Sequence, residues 1–251
     1  MSLKEAAYAL DPVLWARDVL AFNPDPWQAE VLRSGSKRIL LNCSRQSGKS
    51  MITAALALHT ALYQPGSLIL CLSPTLRQSG ELFHTISAFY SNVTRNFPAA
   101  AESALRLELE NGSRIISLPG LEQNVRGYAG VALLVVDEAA RVPDDLYFAI
   151  KPMLAVSDGR LIALSTPFGR RGWFWHEWSE GRNWERHQIK ATDCPRISPE
   201  FLNSEREAMP ESWFAAEYMC EFTDAEDACF SSSTIEKMFD SNVKPLWGDS
   251  I

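Results

Sequence analysis

The sequence lacks the features that mark several specialised classes of protein. Its longest apolar runs, such as residues 131–136, have the length of a strand and are far too short to cross a membrane. Lys4, Glu5 and Asp11 surround its first apolar stretch, which is not typical of a signal peptide. Neither an internal repeat nor a low-complexity tract is visible. We therefore expect neither a membrane-spanning segment nor a cleaved leader.

Cysteine is sparse, and acids outnumber cations. The five cysteines form no CxxC pair, and neither they nor the four histidines show the spacing of a metal site. Isolated thiols are typical of a reducing cytoplasm. The net charge of −7 argues against a chain that coats nucleic acid by bulk electrostatics, although it leaves room for a local basic groove.

Apolar residues are plentiful at 46% of the chain, which is enough for a buried sheet. Strand-length apolar runs occur at residues 38–43, 68–72, 131–136 and 161–164. Helices are predicted between them at residues 51–63, 75–93 and 144–154. This alternation indicates a mainly parallel sheet that helices cover on both faces. The predicted fold class is therefore α/β.

Three further segments complete the predicted organisation. Residues 11–35 are predicted as two helices separated at a pair of prolines. Residues 105–116 alternate apolar and polar positions around an Asn-Gly turn signal, which predicts a β-hairpin. The last part of the chain is mainly helical. We therefore divide the sequence into a core of residues 1–190 and a small helical linker or lid subdomain of residues 191–251.

The strongest motif is Cys43-Ser-Arg-Gln-Ser-Gly-Lys-Ser50, which follows the first predicted strand and opens a helix. Backbone N–H groups of such a loop wrap nucleotide phosphates, and the helix N-terminus adds its dipole. Lys49 would neutralise the phosphates, and the Ser50 hydroxyl would bind Mg²⁺. The alternative is a surface loop with a stray lysine, which the flanking strand and helix disfavour. The predicted nucleotide-binding residues in this motif are Ser44, Arg45, Gln46, Ser47, Gly48, Lys49 and Ser50.

Asp137 and Glu138 end the apolar strand of residues 131–136. In open α/β folds the carboxyl ends of the strands form the ligand-binding edge of the sheet. Asp137 would hold Mg²⁺ through water, and Glu138 would act as the general base for an attacking water. Two acids that merely cap a strand are the alternative, which the nearby phosphate-binding motif disfavours.

Two weaker candidates accompany the phosphate loop. The carboxamide of Gln28 can donate to and accept from an adenine edge, which favours ATP, but a glutamine on an amphipathic helix is usually just exposed. Arg45 lies inside the loop and can act in cis on the γ-phosphate. A structural salt bridge to an acid such as Glu138 is an equally good interpretation of Arg45.

Later segments offer further candidates. Arg126 precedes an exposed-turn glycine and could reach the nucleotide of a neighbouring subunit, although a surface arginine is the simpler interpretation. Ser165 and Thr166 end the last predicted strand, where their hydroxyls could relay the nucleotide state or simply cap the strand. The aromatic cluster of residues 173–178 could stack on nucleic acid, but packing of a helix against the core is the better explanation.

The order of the short motifs is more specific than any one of them. In combination they resemble the large terminase subunit of tailed bacteriophages, the motor that packs DNA into capsids. The motifs are Pro26-Trp-Gln28, CSRQSGKS, LSPT, VRGY, VVDEAA and LSTP. The resemblance extends to residues 217–222 and so covers nearly the whole chain.

The resemblance implies a RecA-like P-loop ATPase of the ASCE division, with ATP and Mg²⁺ as cofactors. By it, Gln28 contacts adenine, Arg45 is the phosphate-loop arginine, and Thr166 belongs to a coupling motif. It also favours Arg126 as an arginine finger that acts in trans across a ring, with Arg141 as the competing candidate. The implied partners are double-stranded DNA, further copies of the chain, a portal and a small terminase subunit, in the cytoplasm of a bacterial host during virus assembly.

Large terminases normally carry a second, RNase H-like nuclease domain. The 85 residues after Thr166 are too few for a linker and that domain together, so we expect an ATPase segment without nuclease activity. A helicase-type DNA translocase is the main alternative, disfavoured because the chain has no room for a second RecA-like lobe. A nucleotide-dependent switch with negligible turnover is another, and Glu138 argues against it.

Overall fold

A computed structural model of the chain describes residues 2–120, 125, 127–223 and 238. Its strands are β1 (Arg38–Cys43), β2 (Leu68–Ser73), β3 (Ala99–Ser103), β4 (Arg106–Leu109), β5 (Arg114–Pro119), β6 (Val131–Asp137), β7 (Arg160–Ser165) and β8 (Glu185–Ile189). Its helices are α1 (Leu3–Leu10), α2 (Pro12–Leu20), α3 (Pro26–Arg33), α4 (Lys49–Tyr63), α5 (Leu76–Tyr90), α6 (Asp144–Ile150), α7 (Gly172–Ser179), α8 (Pro199–Ala208) and α9 (Glu211–Glu217). Short 3₁₀ turns follow β6, α6 and β8.

The strands form one sheet in the order β3-β4-β5-β2-β6-β7-β1-β8. The pairs from β5 across to β8 are parallel, whereas β3 pairs with β4, and β4 with β5, in antiparallel fashion. The predicted hairpin is β4–β5, and Gly112 in its turn has a φ of 83° that suits glycine. The mainly parallel α/β fold is thereby confirmed.

Strand β7 lies between β1 and β6. Because parallel strands end at the same edge of a sheet, the segments that follow these three strands emerge side by side. They are the phosphate loop, Asp137 with Glu138, and Ser165 with Thr166. This arrangement agrees with the RecA-like ASCE fold that the motifs imply, and it brings these three predicted motifs to one edge.

Helices bury both faces of the sheet. Trp15, Leu58 and Phe83 belong to a core on the face covered by α1–α5, while Tyr147 and Phe174 belong to the opposite core under α6 and α7. Burial of each such side chain stabilises the fold by about 1.5–3 kcal/mol. The central strands are accordingly apolar throughout, as expected for a sheet covered on both sides.

Helices α2 and α3 begin with the same local signature, an N-cap aspartate followed by proline. Asp11 caps α2 and Asp25 caps α3. Proline suits the first helical position because its missing N–H is not needed there. The predicted division of this segment at its prolines is thus confirmed.

Helices α8 and α9 pack around a small apolar cluster of their own, which contains Leu202, Phe214 and Tyr218. A boundary near residue 190 stays a prediction. Apart from Met238, the part of the predicted subdomain beyond residue 223 lies outside the described residues.

No pattern in the sequence predicts α1, β3 or β8. Both strands lie at the outer edges of the sheet. In β8 only Ile189 is buried, and β3 is almost entirely exposed. Neither strand therefore carries the apolar run that revealed the central strands. Within the described part of the chain, no helix has the length and apolar character needed to cross a bilayer.

Candidate active site

The predicted phosphate loop (residues 44–50) joins the end of β1 to the first turn of α4. Gln46 and Gly48 adopt left-handed backbone conformations, with φ of 55° and 94°, so the chain turns sharply into the helix at Lys49. The buried Ser47 hydroxyl donates to the Ser44 carbonyl at 3.0 Å. The loop is therefore closed on itself, and Ser50 is exposed at the N-terminus of α4. A helix N-terminus framed in this way is suited to phosphate.

Asp137 and Glu138 lie at the end of β6. Asp137 is only 9% exposed, and it accepts a hydrogen bond from the Glu138 N–H at 3.0 Å. Burial raises the pKa of Asp137 to about 6, repulsion from Glu138 adds to the rise, and Lys49 partly opposes it. Glu138 has a left-handed φ of 48°, which is unusual for a residue with a side chain and occurs preferentially at functional sites.

The carboxylate of Glu138 is the centre of a charged cluster. Lys49 Nζ lies 3.4 Å from its Oε1, and Arg141 Nη1 lies 3.0 Å from its Oε2. The Ser165 hydroxyl donates to Oε2 at 3.5 Å, and Arg141 donates to Thr166 Oγ1 at 3.3 Å. Residues predicted separately from three motifs thus meet in one cluster, while their individual roles stay predictions.

Arg45 pairs with an acid that the sequence did not indicate. Its Nε lies 2.6 Å from Glu217 Oε2, and its Nη2 lies 3.2 Å from Oε1. The Arg45 backbone N–H also donates to the Glu217 carbonyl at 3.0 Å. The side-chain hydrogen bonds raise the pKa of Arg45. The structural ion pair considered for Arg45 exists, but its acid is Glu217 of α9 and not Glu138.

Gln28 is 1% exposed. The simpler interpretation, an exposed glutamine on an amphipathic helix, is therefore wrong. Its Oε1 accepts from the Asp25 N–H at 2.8 Å, and its Nε2 donates to the Gly48 carbonyl at 3.3 Å. Arg196 lies beside it, forked onto the Asp25 carboxylate. No sequence pattern predicts this position of Arg196, because only the Asp-Pro cap signature at Asp25 marks the place in the sequence.

The remaining candidates are the aromatic cluster of residues 173–178, Arg141 and Arg126. Trp173 and Phe174 are buried, and Trp173 Nε1 donates to the Val142 carbonyl at 3.0 Å, so the aromatic cluster packs the core as expected. Arg141 is turned toward Glu138 of its own chain. Arg126 lies outside the described residues.

The residues present fit a magnesium nucleotide. Mg²⁺ prefers oxygen ligands and usually keeps several waters, so it needs only one or two protein donors. The Ser50 hydroxyl and the Asp137 carboxylate are such donors. A buried carboxylate whose pKa is raised to about 6 is short of compensating charge, which a divalent cation would supply.

The fold is the RecA-like α/β fold that the motifs imply, and the charged cluster lies at the carboxyl edge of its sheet. A sequence model described as "Terminase large subunit, T4likevirus-type, N-terminal" matches residues 40–237, which is most of the chain. The chain belongs to this terminase large-subunit family.

Individual relatives agree with this assignment. The large terminase subunit of Thermus virus P23-45 is 26% identical in an alignment that covers 85% of this chain and 52% of that protein. The large terminase ATPase domain of Thermus phage P74-26 is 25% identical with a TM-score of 0.71, covering 82% of this chain and 97% of that one. The large terminase of another thermophilic bacteriophage, solved in complex with ADP, has a TM-score of 0.59 at 14% identity over 85% of this chain and 52% of that one, a likeness of fold alone. The chain spans about half the length of the curated relatives it matches.

Proposed function

We propose that this chain hydrolyses ATP to drive double-stranded DNA into a viral capsid, as the ATPase domain of a large terminase subunit. Membership of the terminase family supports a packaging motor over a helicase-type translocase. One observation carries the enzymatic part of the proposal. Lys49 and Arg141, from separate segments of the chain, both contact the carboxylate of Glu138 at the edge where the phosphate loop emerges.

Binding would use the phosphate loop and its neighbours. Backbone N–H groups of residues 46–50 and the Lys49 ammonium would hold the β- and γ-phosphates. Ser50 and Asp137 would hold Mg²⁺, which when bound supplies positive charge against the charge that develops on the phosphate oxygens. Gln28 would contact adenine, and Arg45 would act on the γ-phosphate in cis.

Hydrolysis would depend on Glu138. As a water oxygen bonds to the γ-phosphorus, the bond between that phosphorus and the β–γ bridging oxygen breaks, and Glu138 accepts the proton of the water. Nucleotide phosphates would draw Lys49 away from the Glu138 carboxylate, because they carry the larger negative charge. Ser165 and Thr166 contact Glu138 and Arg141, so they are the residues through which the state of the site would reach the rest of the motor.

Full turnover would require a second copy of the chain. Because Arg141 contacts Glu138 and Thr166 of its own chain, we assign the trans arginine finger to Arg126. The motor would be a ring of such chains. Its other partners would be a portal and a small terminase subunit, in the cytoplasm of a bacterial host, and this segment would carry no nuclease activity.

The test is phosphate release and binding of a fluorescent ADP by the purified protein over a range of concentrations. We expect Mg²⁺-dependent release that rises with protein concentration and disappears in Lys49→Ala. A mixture of Lys49→Ala and Arg126→Ala should recover part of the turnover that each lacks, since one supplies the finger and the other an intact site. A wild-type protein that neither binds nor hydrolyses ATP would overturn the proposal, and an Arg126→Ala variant with full turnover would remove only the finger.

A further inference from the structure

The outer side of the phosphate loop is closed by two side chains from different parts of the chain. Gln28 donates to the Gly48 carbonyl at 3.3 Å, and Arg196 Nη2 donates to the Ser47 carbonyl at 3.1 Å. Both side chains also approach the Cα of Gly48, where an added Cβ would lie 2.7 Å from Gln28 Nε2 and 3.4 Å from Arg196 Nη2. Two consecutive carbonyls of the loop are therefore held from outside.

A fixed carbonyl also fixes the next N–H. The peptide unit is planar and trans, so the N–H of a residue points away from the carbonyl of the residue before it. The bond from Arg196 to the Ser47 carbonyl thus sets the direction of the Gly48 N–H, and Gln28 likewise sets that of Lys49. These N–H groups belong to the set that would face the nucleotide phosphates.

Arg196 is itself held in place. Its Nη1 and Nη2 donate to the two carboxylate oxygens of Asp25 at 2.9 and 2.8 Å, a fork that fixes the plane of the guanidinium. The Asp25 side chain is only 12% exposed, and its backbone N–H donates to Gln28. Asp25, Gln28 and Arg196 therefore form one brace, which joins the start of α3 to the segment that leads into α8.

We infer that Arg196 is a positioning residue for nucleotide binding, which aims the Gly48 N–H at the phosphates through its bond to the Ser47 carbonyl. The inference rests on the proposed function of the loop. It concerns the phosphates and not the base, because the atoms to which Arg196 donates are the Ser47 carbonyl oxygen of the loop and the Asp25 carboxylate oxygens.

The chain contains a matched control. Arg33 forks onto Asp11, with Nε and Nη2 at 3.0 and 2.6 Å from the two carboxylate oxygens. Asp11 is also an N-cap aspartate before a proline, and the Arg33 side chain is 54% exposed against 51% for Arg196. The Arg33 fork differs in one respect that matters here, since among the described residues no bond from Arg33 to the phosphate loop accompanies it.

The experiment compares Arg196→Ala with Arg33→Ala in the full chain, by titration with fluorescent ADP, ATP and inorganic tripolyphosphate, by steady-state ATP hydrolysis and by thermal unfolding. We expect Arg196→Ala to weaken all three ligands to a similar degree, by about tenfold, and to raise KM more than it lowers kcat. Arg196→Lys should recover part of the affinity, since an ammonium can reach one acceptor but cannot fork. Arg33→Ala should bind like the wild type.

Coupling within the brace provides a second measurement. Asp25→Asn keeps a capping oxygen but removes the charge that holds the guanidinium, so it should also weaken binding. The Asp25→Asn and Arg196→Ala effects should be less than additive, because either change releases the same contact. Additive effects would contradict the inference.

Three outcomes separate the interpretations. Wild-type protein that binds none of the ligands would overturn the proposed function itself. Wild-type binding with equal affinities in Arg196→Ala and Arg33→Ala would overturn the role of Arg196 alone. Loss of affinity for the nucleotides but not for tripolyphosphate would place Arg196 at the base, and would contradict the inference as well. Thermal unfolding identifies any variant whose loss of binding comes from loss of folding.

Discussion

The two edges of the central strands β1, β6 and β7 use cationic side chains differently. At the carboxyl edge (residues 44–50, 137–141 and 165–166), Lys49 and Arg141 contact the Glu138 carboxylate, and Arg45 forks onto Glu217. Each of these contacts joins a cation to an anion at a place where solvent still has access. We expect an incoming phosphate to replace the carboxylate in any of them.

At the amino edge (residues 36–38 and 158–160), the cations mainly complete the backbone. Arg38 Nη1 donates to the Lys37 and Gly159 carbonyls, both at 2.8 Å. Lys37 donates to the Asp158 carbonyl at 2.6 Å, and Arg160 Nε donates to the Ser36 carbonyl at 3.2 Å. These bonds satisfy carbonyl groups where strands begin, so the side chains serve the fold.

From the contrast between the edges we expect that the partner of a cation, more than its residue type, separates a binding role from a structural one. A cationic side chain that is paired with a carboxylate can exchange this partner for an anionic ligand. A backbone carbonyl, in contrast, requires its hydrogen-bond donor as long as the strand is folded. Substitutions at the carboxyl edge should therefore change activity, and those at the amino edge should change stability.

The largest expected effect comes from removing the lysine of the carboxyl edge. Lys49→Ala should lower ATP affinity and turnover by at least about 100-fold, because it removes the ammonium group that we propose holds the β- and γ-phosphates. Fluorescent-nucleotide binding and phosphate release measure both. Lys37→Ala at the amino edge is the control and should bind ATP normally. Equal behaviour of the two variants would remove the distinction between the edges.

Replacing the central carboxylate should separate binding from chemistry. Glu138→Gln keeps the shape of the side chain but cannot accept the proton of water at neutral pH, so kcat should fall by about 100-fold or more while the affinity for ATP is kept. Single-turnover hydrolysis and equilibrium binding check the two parts. A variant that hydrolyses ATP at the normal rate would exclude Glu138 as the base.

Ionisation of the buried Asp137 carboxyl group should lower the stability of the metal-free protein. Burial raises the pKa of Asp137 to about 6, so the folded chain binds more protons than the unfolded chain between about pH 4 and pH 6. The folded chain therefore loses stability as the pH rises through that window. Asp137→Asn should therefore raise Tm by about 4 °C at pH 7.5 in the presence of EDTA.

The pH dependence is the control for that prediction. Asparagine does not titrate, and its oxygen can still accept from the Glu138 N–H. The difference in Tm between Asp137→Asn and the wild type should therefore shrink as the pH is lowered toward 5. A difference that stays constant between pH 5 and pH 7.5 would show that ionisation of Asp137 is not its source.

The smallest expected effect lies at the amino edge. Arg38→Gln removes a donor that two carbonyls share, so the free energy of unfolding should fall by about 1 kcal/mol. Urea denaturation measures this change. KM and kcat for ATP at a temperature well below Tm should equal those of the wild type, and a change in either would extend the binding role beyond the carboxyl edge.

Short contiguous motifs explain why so much of the carboxyl edge could be predicted. The phosphate loop, the strand that ends in Asp137 and Glu138, and the Ser165-Thr166 strand end are each local patterns, and each lies where a β-strand meets a loop. The rule that parallel strands end at one edge then brings them together without further information. The mainly parallel fold followed from the same apolar runs.

The features that were not predicted lack such a local pattern. β8 is a polar edge strand with a single buried residue, so no apolar run distinguishes it from a loop. Glu217 lies 172 residues from Arg45, and Arg196 lies 171 residues from Asp25. Ion pairs of this kind have no period and no spacing, because any exposed acid and any arginine are locally compatible with many partners.

Local sequence was enough to predict the groups at each strand end: a loop for phosphates, two adjacent acids, and a pair of hydroxyls, on a sheet of alternating strands and helices. Tertiary packing set how these groups are connected. In the folded chain β7 lies between β1 and β6, and Arg141 contacts Glu138 of its own chain. Arg45 pairs with Glu217. Gln28 and Arg196 donate hydrogen bonds to carbonyls of the phosphate loop. The physical reason is that backbone propensities and apolar periods act over a few residues, whereas the partner of a charge is chosen only when the packed chain brings distant segments together.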